Sequence, residues 1–178
     1  MEGTKVKLRP IIREDINILN IWRNDEETFM YLGGGFLPVS IDIQAEWMNS
    51  LIDTMGPNKR FMICDKQDQP VGMIGLYDIH HVNRTCEIGI FIGNKEAKGR
   101  GYGKEACILI EKYAREYLNI RKIKLNVVSE NIKAVHLWEV LGYVKIGEFV
   151  QERFIKGEYK NVMLMEKFIG KVGEKKDS

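Results

Sequence analysis

The chain has 178 residues, 44% of them hydrophobic and 29% charged, the balance of one soluble domain large enough for a full core. A net charge of +2, with basic and acidic residues interleaved, argues against a nucleic-acid binder, and no apolar run nears the roughly 18 residues of a membrane span. Cys64, Cys86 and Cys107 are odd in number and form no C-x-x-C pair, so they read as buried reduced thiols of a cytoplasmic protein, and Met1-Glu2-Gly3-Thr4-Lys5 has no secretory pattern.

Val6-Lys7-Leu8-Arg9-Pro10 alternates apolar and polar residues and reads as a first strand. From Arg13, the spacing of Ile16, Leu19, Ile21 and Trp22 predicts a helix, with Asp15 suited to its N-terminus. The Tyr31–Pro38 segment holds Gly33-Gly34-Gly35-Phe36, which fits either a mobile substrate lid or an ordinary connector. Ser40 or Asp42 caps a second helix through Leu51, with Ile43, Trp47 and Leu51 on one face. Arg60 to Asp65 and Val71 to Ile79 form strands around the turn residues Asp65 to Pro70. His80 and His81 follow in a polar connection. Neighbours on a strand point to opposite faces, and no third ligand has suitable spacing, so no metal site is expected.

The next stretch organises the chain. Cys86 to Ile92 is an apolar strand, followed by Lys98-Gly99-Arg100-Gly101-Tyr102-Gly103 and a helix from Lys104. Alternate glycines permit a tight turn and leave N–H groups free at a helix N-terminus, which suits a phosphate or pyrophosphate. A P-loop requires Ser or Thr after its Gly-Lys pair, and Glu105 stands there. A dinucleotide fingerprint requires G-x-G-x-x-G and a later acidic residue, whereas the chain reads Arg121-Lys122-Ile123-Lys124. Beyond the helix come a strand over Ile123–Val128, the Ser129-Glu130-Asn131 start of a helix over Lys133–Leu141, and Gly142 as its stop. Tyr143 to Gln151 and Glu158 to Phe168 form a last hairpin turned at Lys156-Gly157, and a frayed tail is expected over 170–178 after one domain over 1–169.

Lys98, Gly101 and Gly103 resemble the acetyl-CoA pyrophosphate loop of the GNAT superfamily of N-acetyltransferases. Asn131-Ile132-Lys133-Ala134 through Leu141-Gly142-Tyr143 resembles the family's second coenzyme segment. The match runs from about Val6 to Phe168. Arg84 to Gly89 and Gly147 to Met163 are similar to the branch that holds ribosomal-protein N-terminal acetyltransferases and spermidine acetyltransferases.

The resemblance implies an α/β (α+β) fold: a mixed, mostly antiparallel twisted sheet flanked by helices and splayed between the 86–92 and 123–128 strands, with a bulge in the first of these. Pantetheine would enter the splay and pair with backbone groups of Ile90, Phe91 and Ile92, an N–H near Ile92 polarising the thioester carbonyl. Lys98, Gly99, Arg100, Gly101, Tyr102, Gly103 and Lys104 would hold the pyrophosphate, and Asn131 the pantetheine arm. Trp138 occupies the position where many members carry a Tyr that protonates the departing thiolate. Indole is no practical acid, so no general acid is assigned. Glu87 is the first candidate for the base and Asp78 the second; each could instead pair with Arg84 or cap a loop. The implied reaction is direct attack of a primary amine on acetyl-CoA. The acceptor is a protein N-terminus or a small amine (polyamine, aminoglycoside or amino sugar), and a homodimer is left open. The alternative is a catalytically lapsed acyl-CoA-binding sensor or interaction module.

Overall fold

The computed structural model describes residues 1–170, so the tail expected over 170–178 lies, beyond Gly170 itself, outside the described residues. Seven strands form one sheet in the order β1-β2-β3-β4-β5-β7-β6. They are β1 Lys7–Pro10, β2 Lys59–Cys64, β3 Pro70–His80, β4 Thr85–Ile92, β5 Lys122–Val128, β6 Val144–Ile155 and β7 Glu158–Phe168. All neighbouring pairs are antiparallel except β4 and β5. A parallel pair needs a crossover, and the glycine turn with helix α4 (Tyr102–Glu116) supplies it.

Alternation along the strands divides the core between two faces. On one, Cys86 and Ile88 of β4 join Ile74, Leu76, Ile123 and Leu125 beneath Ala106, Ile110 and Ala114 of α4. Helix α5 (Ile132–Val140) adds Val135 and Trp138 to the same cluster. On the other face, α1 (Ile16–Arg23), α2 (Glu26–Phe29) and α3 (Ile41–Ile52) bury Leu19, Trp22, Phe29 and Met48 against Met62 and Cys64, with Phe91 packed beside them. The thiols of Cys64, Cys86 and Cys107 are free and buried, and burial pushes that of Cys86 up to about 12. No helix among the described residues is long and apolar enough to cross a membrane.

Two helical faces differ from the sequence expectation. In α3 the inward residues are Gln44 and Met48, four apart, while Ile43 and Trp47 are 38% and 41% exposed. Trp47 is not idle, because the Arg23 guanidinium lies 5.3 Å from its ring centroid. In α1, Ile21 points outward and Leu19 and Trp22 point in. The closing hairpin turns at Lys156-Gly157 as expected, with φ of +51° and +84°, the positive pair that matches strand twist in a two-residue loop. Its first strand is longer than expected, reaching Ile155 after a register shift between Phe149 and Arg153.

Candidate active site

The two parallel strands are paired only at their starts. Thr85, Cys86 and Glu87 of β4 sit opposite Lys122, Ile123 and Lys124 of β5, and no pairing continues beyond. β4 nevertheless runs on to Ile92 against β3, and β5 to Val128 against β7. Residues 88–92 and 125–128 therefore form two arms of a V, each with its inner backbone edge free. Such edges offer main-chain donors and acceptors to an extended amide-bearing ligand. The bulge expected in β4 is elsewhere. β3 and β4 stay in register from Gly72↔Ile92 to Tyr77↔Glu87, and the extra residue falls in β3 between Tyr77 and His80. Asp78 occupies that bulge at φ +47°, so strand divergence here needs no irregularity in β4 itself.

At the mouth of the V stands the glycine turn. Gly99 and Gly101 adopt φ of +77° and +81°, and Gly101 is the N-cap residue of the 15-residue α4. Gly103 serves a different purpose. A Cβ there would lie 3.7 Å from Ile90 Cδ1, 3.8 Å from Leu137 Cδ2 and 3.9 Å from Ile92 Cγ1, so it would project between the β4 arm and α5. The turn is thus shaped by two glycines and kept open by the third. Of the cations expected there, Lys98 is bridged to Glu27 at 2.9 Å, while Arg100 and Lys104 have no ion-pair partner among the described residues.

The other candidates separate clearly. Ile90 and Ile92 turn toward α4, and Phe91 turns toward α2, its ring centroid 5.1 Å from that of Phe29. Asn131 caps α5 by accepting a bond from the Ala134 N–H at 3.4 Å, which leaves its amide nitrogen without a protein partner among the described residues. Trp138 is only 5% exposed and meets Tyr143 edge-on at 5.1 Å, so most of its ring belongs to the core. Glu87 is half-buried at the closed end of the V and is the cross-strand partner of Tyr77. Asp78 is exposed on the adjoining bulge. The Tyr77 ring lies over Gly75 and Gly89, where added Cβ atoms would come within 2.8 and 3.2 Å of it, and burial raises its hydroxyl pKa.

The sequence pattern of the acetyltransferase (GNAT) domain matches residues 5–144. The chain belongs to the GNAT acetyltransferase family. It is 32% identical over 161 residues to spermidine N(1)-acetyltransferase from Escherichia coli K12, covering 90% of this chain and 84% of that one. It is likewise 32% identical to the Vibrio cholerae spermidine N(1)-acetyltransferase, over 92% of each chain. A putative ribosomal N-acetyltransferase from Bacillus subtilis is 29% identical over 52% of this chain. The crystal structure of the V. cholerae spermidine N-acetyltransferase in complex with CoA and spermine superposes with a TM-score of 0.86 at 31% identity, over 93% of this chain and 96% of that one. The chain is accordingly an acetyl-CoA-dependent N-acetyltransferase with the GNAT sheet.

This GNAT chain also uses residues that sequence reading passed over. Glu105, in the first turn of α4, accepts bonds from the backbone N–H groups of Thr4 (2.9 Å), Lys5 (2.7 Å) and Val6 (2.7 Å) and from the Thr4 hydroxyl (2.6 Å). Burial raises this carboxyl, but the Thr4 hydroxyl and the three N–H groups outweigh it and hold the carboxyl at about 2. The clamp fastens the N-terminal segment to the glycine turn. Lys5 Nζ reaches the Arg100 carbonyl at 3.2 Å and would stand 3.1 Å from a Cβ on Gly101. The partners are about a hundred residues apart, so no local pattern could announce the contact.

Proposed function

We propose that this acetyltransferase acts on a small-molecule primary amine, with acetyl-CoA lying along the V and its thioester toward the closed end. The observation that carries this reading is the break in β4–β5 pairing after Glu87, directly beside a glycine turn at a helix N-terminus. The N–H groups of that turn suit the pyrophosphate, with Arg100, Lys104 and Lys5 contributing charge. Gly103 leaves room for the chain that leads from it into the V. Ile90, Phe91 and Ile92 lend backbone groups to pantetheine, and the free amide nitrogen of Asn131 faces the same task.

An alkyl ammonium group has a pKa near 10.4, so a proton must leave before nitrogen attacks the thioester carbon. We assign Glu87 as the group that accepts it, directly or through water, which its half-buried position at the closed end of the V supports, with Asp78 on the neighbouring strand as second choice. Ile92 is too far along to share that work. Five residues of strand at about 3.3 Å each put it roughly 16 Å from Glu87. The backbone N–H that polarises the carbonyl is therefore assigned nearer Ile90.

The test is amine-dependent release of free CoA thiol from acetyl-CoA, read across a panel that includes spermidine, spermine, other small amines and a peptide with a free N-terminus. Polyamines belong in it because the V. cholerae and E. coli relatives are spermidine acetyltransferases. Turnover with small amines supports the reading. Acetyl-CoA binding without turnover of any amine would establish the lapsed-binder alternative instead.

A further inference from the structure

A cavity of about 370 Å³ lies on the face of the sheet opposite α4, lined by Glu26, Met30, Gly33–Gly35, Phe36 and Arg153–Lys156. Its walls touch both arms of the V. Phe29, at the end of α2, packs on Phe91 of the β4 arm. Met30 and Tyr31 pack with Ile155 on Val128, the last residue of the β5 arm. The segment from α2 into the Gly33–Gly35 loop therefore spans the open end of the V, so an acceptor anchored in the cavity must extend along the V to bring its amine to the closed end.

The charges around this cavity are unusual for a site that would take a polycation. Glu26 is the one carboxylate in its lining, and Lys156 holds it at 3.2 Å. Gly33-Gly34-Gly35-Phe36-Leu37-Pro38 contains no acid. Arg153 is half-buried, donates to the Tyr31 carbonyl at 2.8 Å, and has no carboxylate partner among the described residues. Behind Gly34, the Arg23 guanidinium is sandwiched at 4.7 Å over Phe29 and 5.3 Å over Trp47, with its nitrogens 3.7 Å from a Cβ position on Gly34. Arg23 likewise has no carboxylate partner among the described residues, and its Nε is buried without any hydrogen-bond partner. Burial lowers the pKa of both arginines, though each keeps its charge. A guanidinium taken from water without a counter-charge is costly, and a bound anion removes that cost through paired, charge-assisted hydrogen bonds.

We propose that this cavity is the acceptor pocket and that its acceptor is a primary amine which also carries an anionic group, a carboxylate or a phosphate, held by Arg153 with Arg23 behind it. The proposal rests on the amine-acceptor reading above and sharpens it. A polyamine brings several ammonium groups to a lining whose single acid is already paired, whereas an amine with an anionic tail meets a guanidinium that has no carboxylate partner among the described residues.

The experiment compares kcat/KM for acceptors of matched chain length: an α,ω-diamine, an ω-amino carboxylate and an ω-amino phosphate, with spermidine alongside. The anionic amines should exceed the diamine by roughly 10-fold or more, the value of one charged hydrogen-bonded pair, and the better of the two identifies the anion. Arg153→Met, which keeps the apolar stem, should lower kcat/KM for the anionic amines at least 10-fold more than for the diamine, and Arg153→Lys should restore part of the difference. A wild-type preference for spermidine or the diamine would overturn the proposal, as would an Arg153→Met loss shared equally by all acceptors. Should Arg153→Met fail to fold for want of the Tyr31 contact, the wild-type comparison decides alone. Absence of turnover with every amine would instead overturn the amine-acceptor reading beneath it.

Discussion

Replacing Glu105 with Gln removes one charge and leaves the side-chain length unchanged, yet it should weaken both the fold and the coenzyme site. The carboxylate collects three backbone N–H groups and a hydroxyl, which hold it at about 2. An unfolded glutamate titrates near 4.3, so the shift of roughly two units corresponds to about 3 kcal/mol favouring the folded state at neutral pH. The group is partly exposed, and solvent screening reduces this to about 1–2 kcal/mol. The sign is fixed by the depressed pKa: the contribution is fully present above about pH 5 and disappears as pH falls toward 2. Urea unfolding of wild type and Glu105→Gln should therefore show a gap of about 1–2 kcal/mol at pH 7 that has about halved by pH 3 and mostly closed by pH 2. Because Lys5 Nζ binds the Arg100 carbonyl, loosening residues 4–6 should also raise KM for acetyl-CoA with little change in kcat. A gap that stays constant from pH 7 to pH 3, or no gap at all, would refute the charge-based clamp.

The remaining expectations concern the V itself. Gly103→Val should fold, since a Cβ there meets only ordinary contacts, but it should abolish the rise in melting temperature that acetyl-CoA produces; normal binding by the variant would show that the chain does not pass that way. Glu87→Gln or Asp78→Asn should lower kcat by about 10² to 10⁴ without altering acetyl-CoA affinity, whichever carries the proton, and undiminished rates in both would remove these carboxylates from the mechanism. Trp138→Phe should change kcat modestly, while Trp138→Ala should cost about 3–5 kcal/mol of stability in thermal or urea unfolding, given that the ring is 5% exposed. A several-hundred-fold fall in kcat for Trp138→Phe, with folding intact, would give the indole N–H a chemical role.

Much of this architecture was legible because its signals are local. The glycine turn, the helix after it, the Asn131 cap and the Lys156-Gly157 hairpin each write their backbone demands into neighbouring residues. The α3 face was misread because Trp47 looks like a core residue. In the fold it serves as a platform for Arg23, and Gln44 goes inward. The β3 bulge at Asp78 was invisible, since no glycine or proline marks it. Glu105 and the unpaired arginines were missed for a related reason. Their meaning lies in what residues distant in sequence do or do not offer them, as Thr4–Val6 do for Glu105 and as no carboxylate among the described residues does for Arg153.

Amide hydrogen exchange with and without acetyl-CoA tests most directly whether the splayed arms hold the coenzyme. The inner edges of residues 88–92 and 125–128 have no strand partner across the V, so their exposed amides should exchange readily in the free protein. Saturating acetyl-CoA should slow exchange in peptides covering 88–92 and 98–104 while leaving β1 and β2 unchanged. Tight acetyl-CoA binding with no protection in either segment would contradict the placement of the coenzyme in the V.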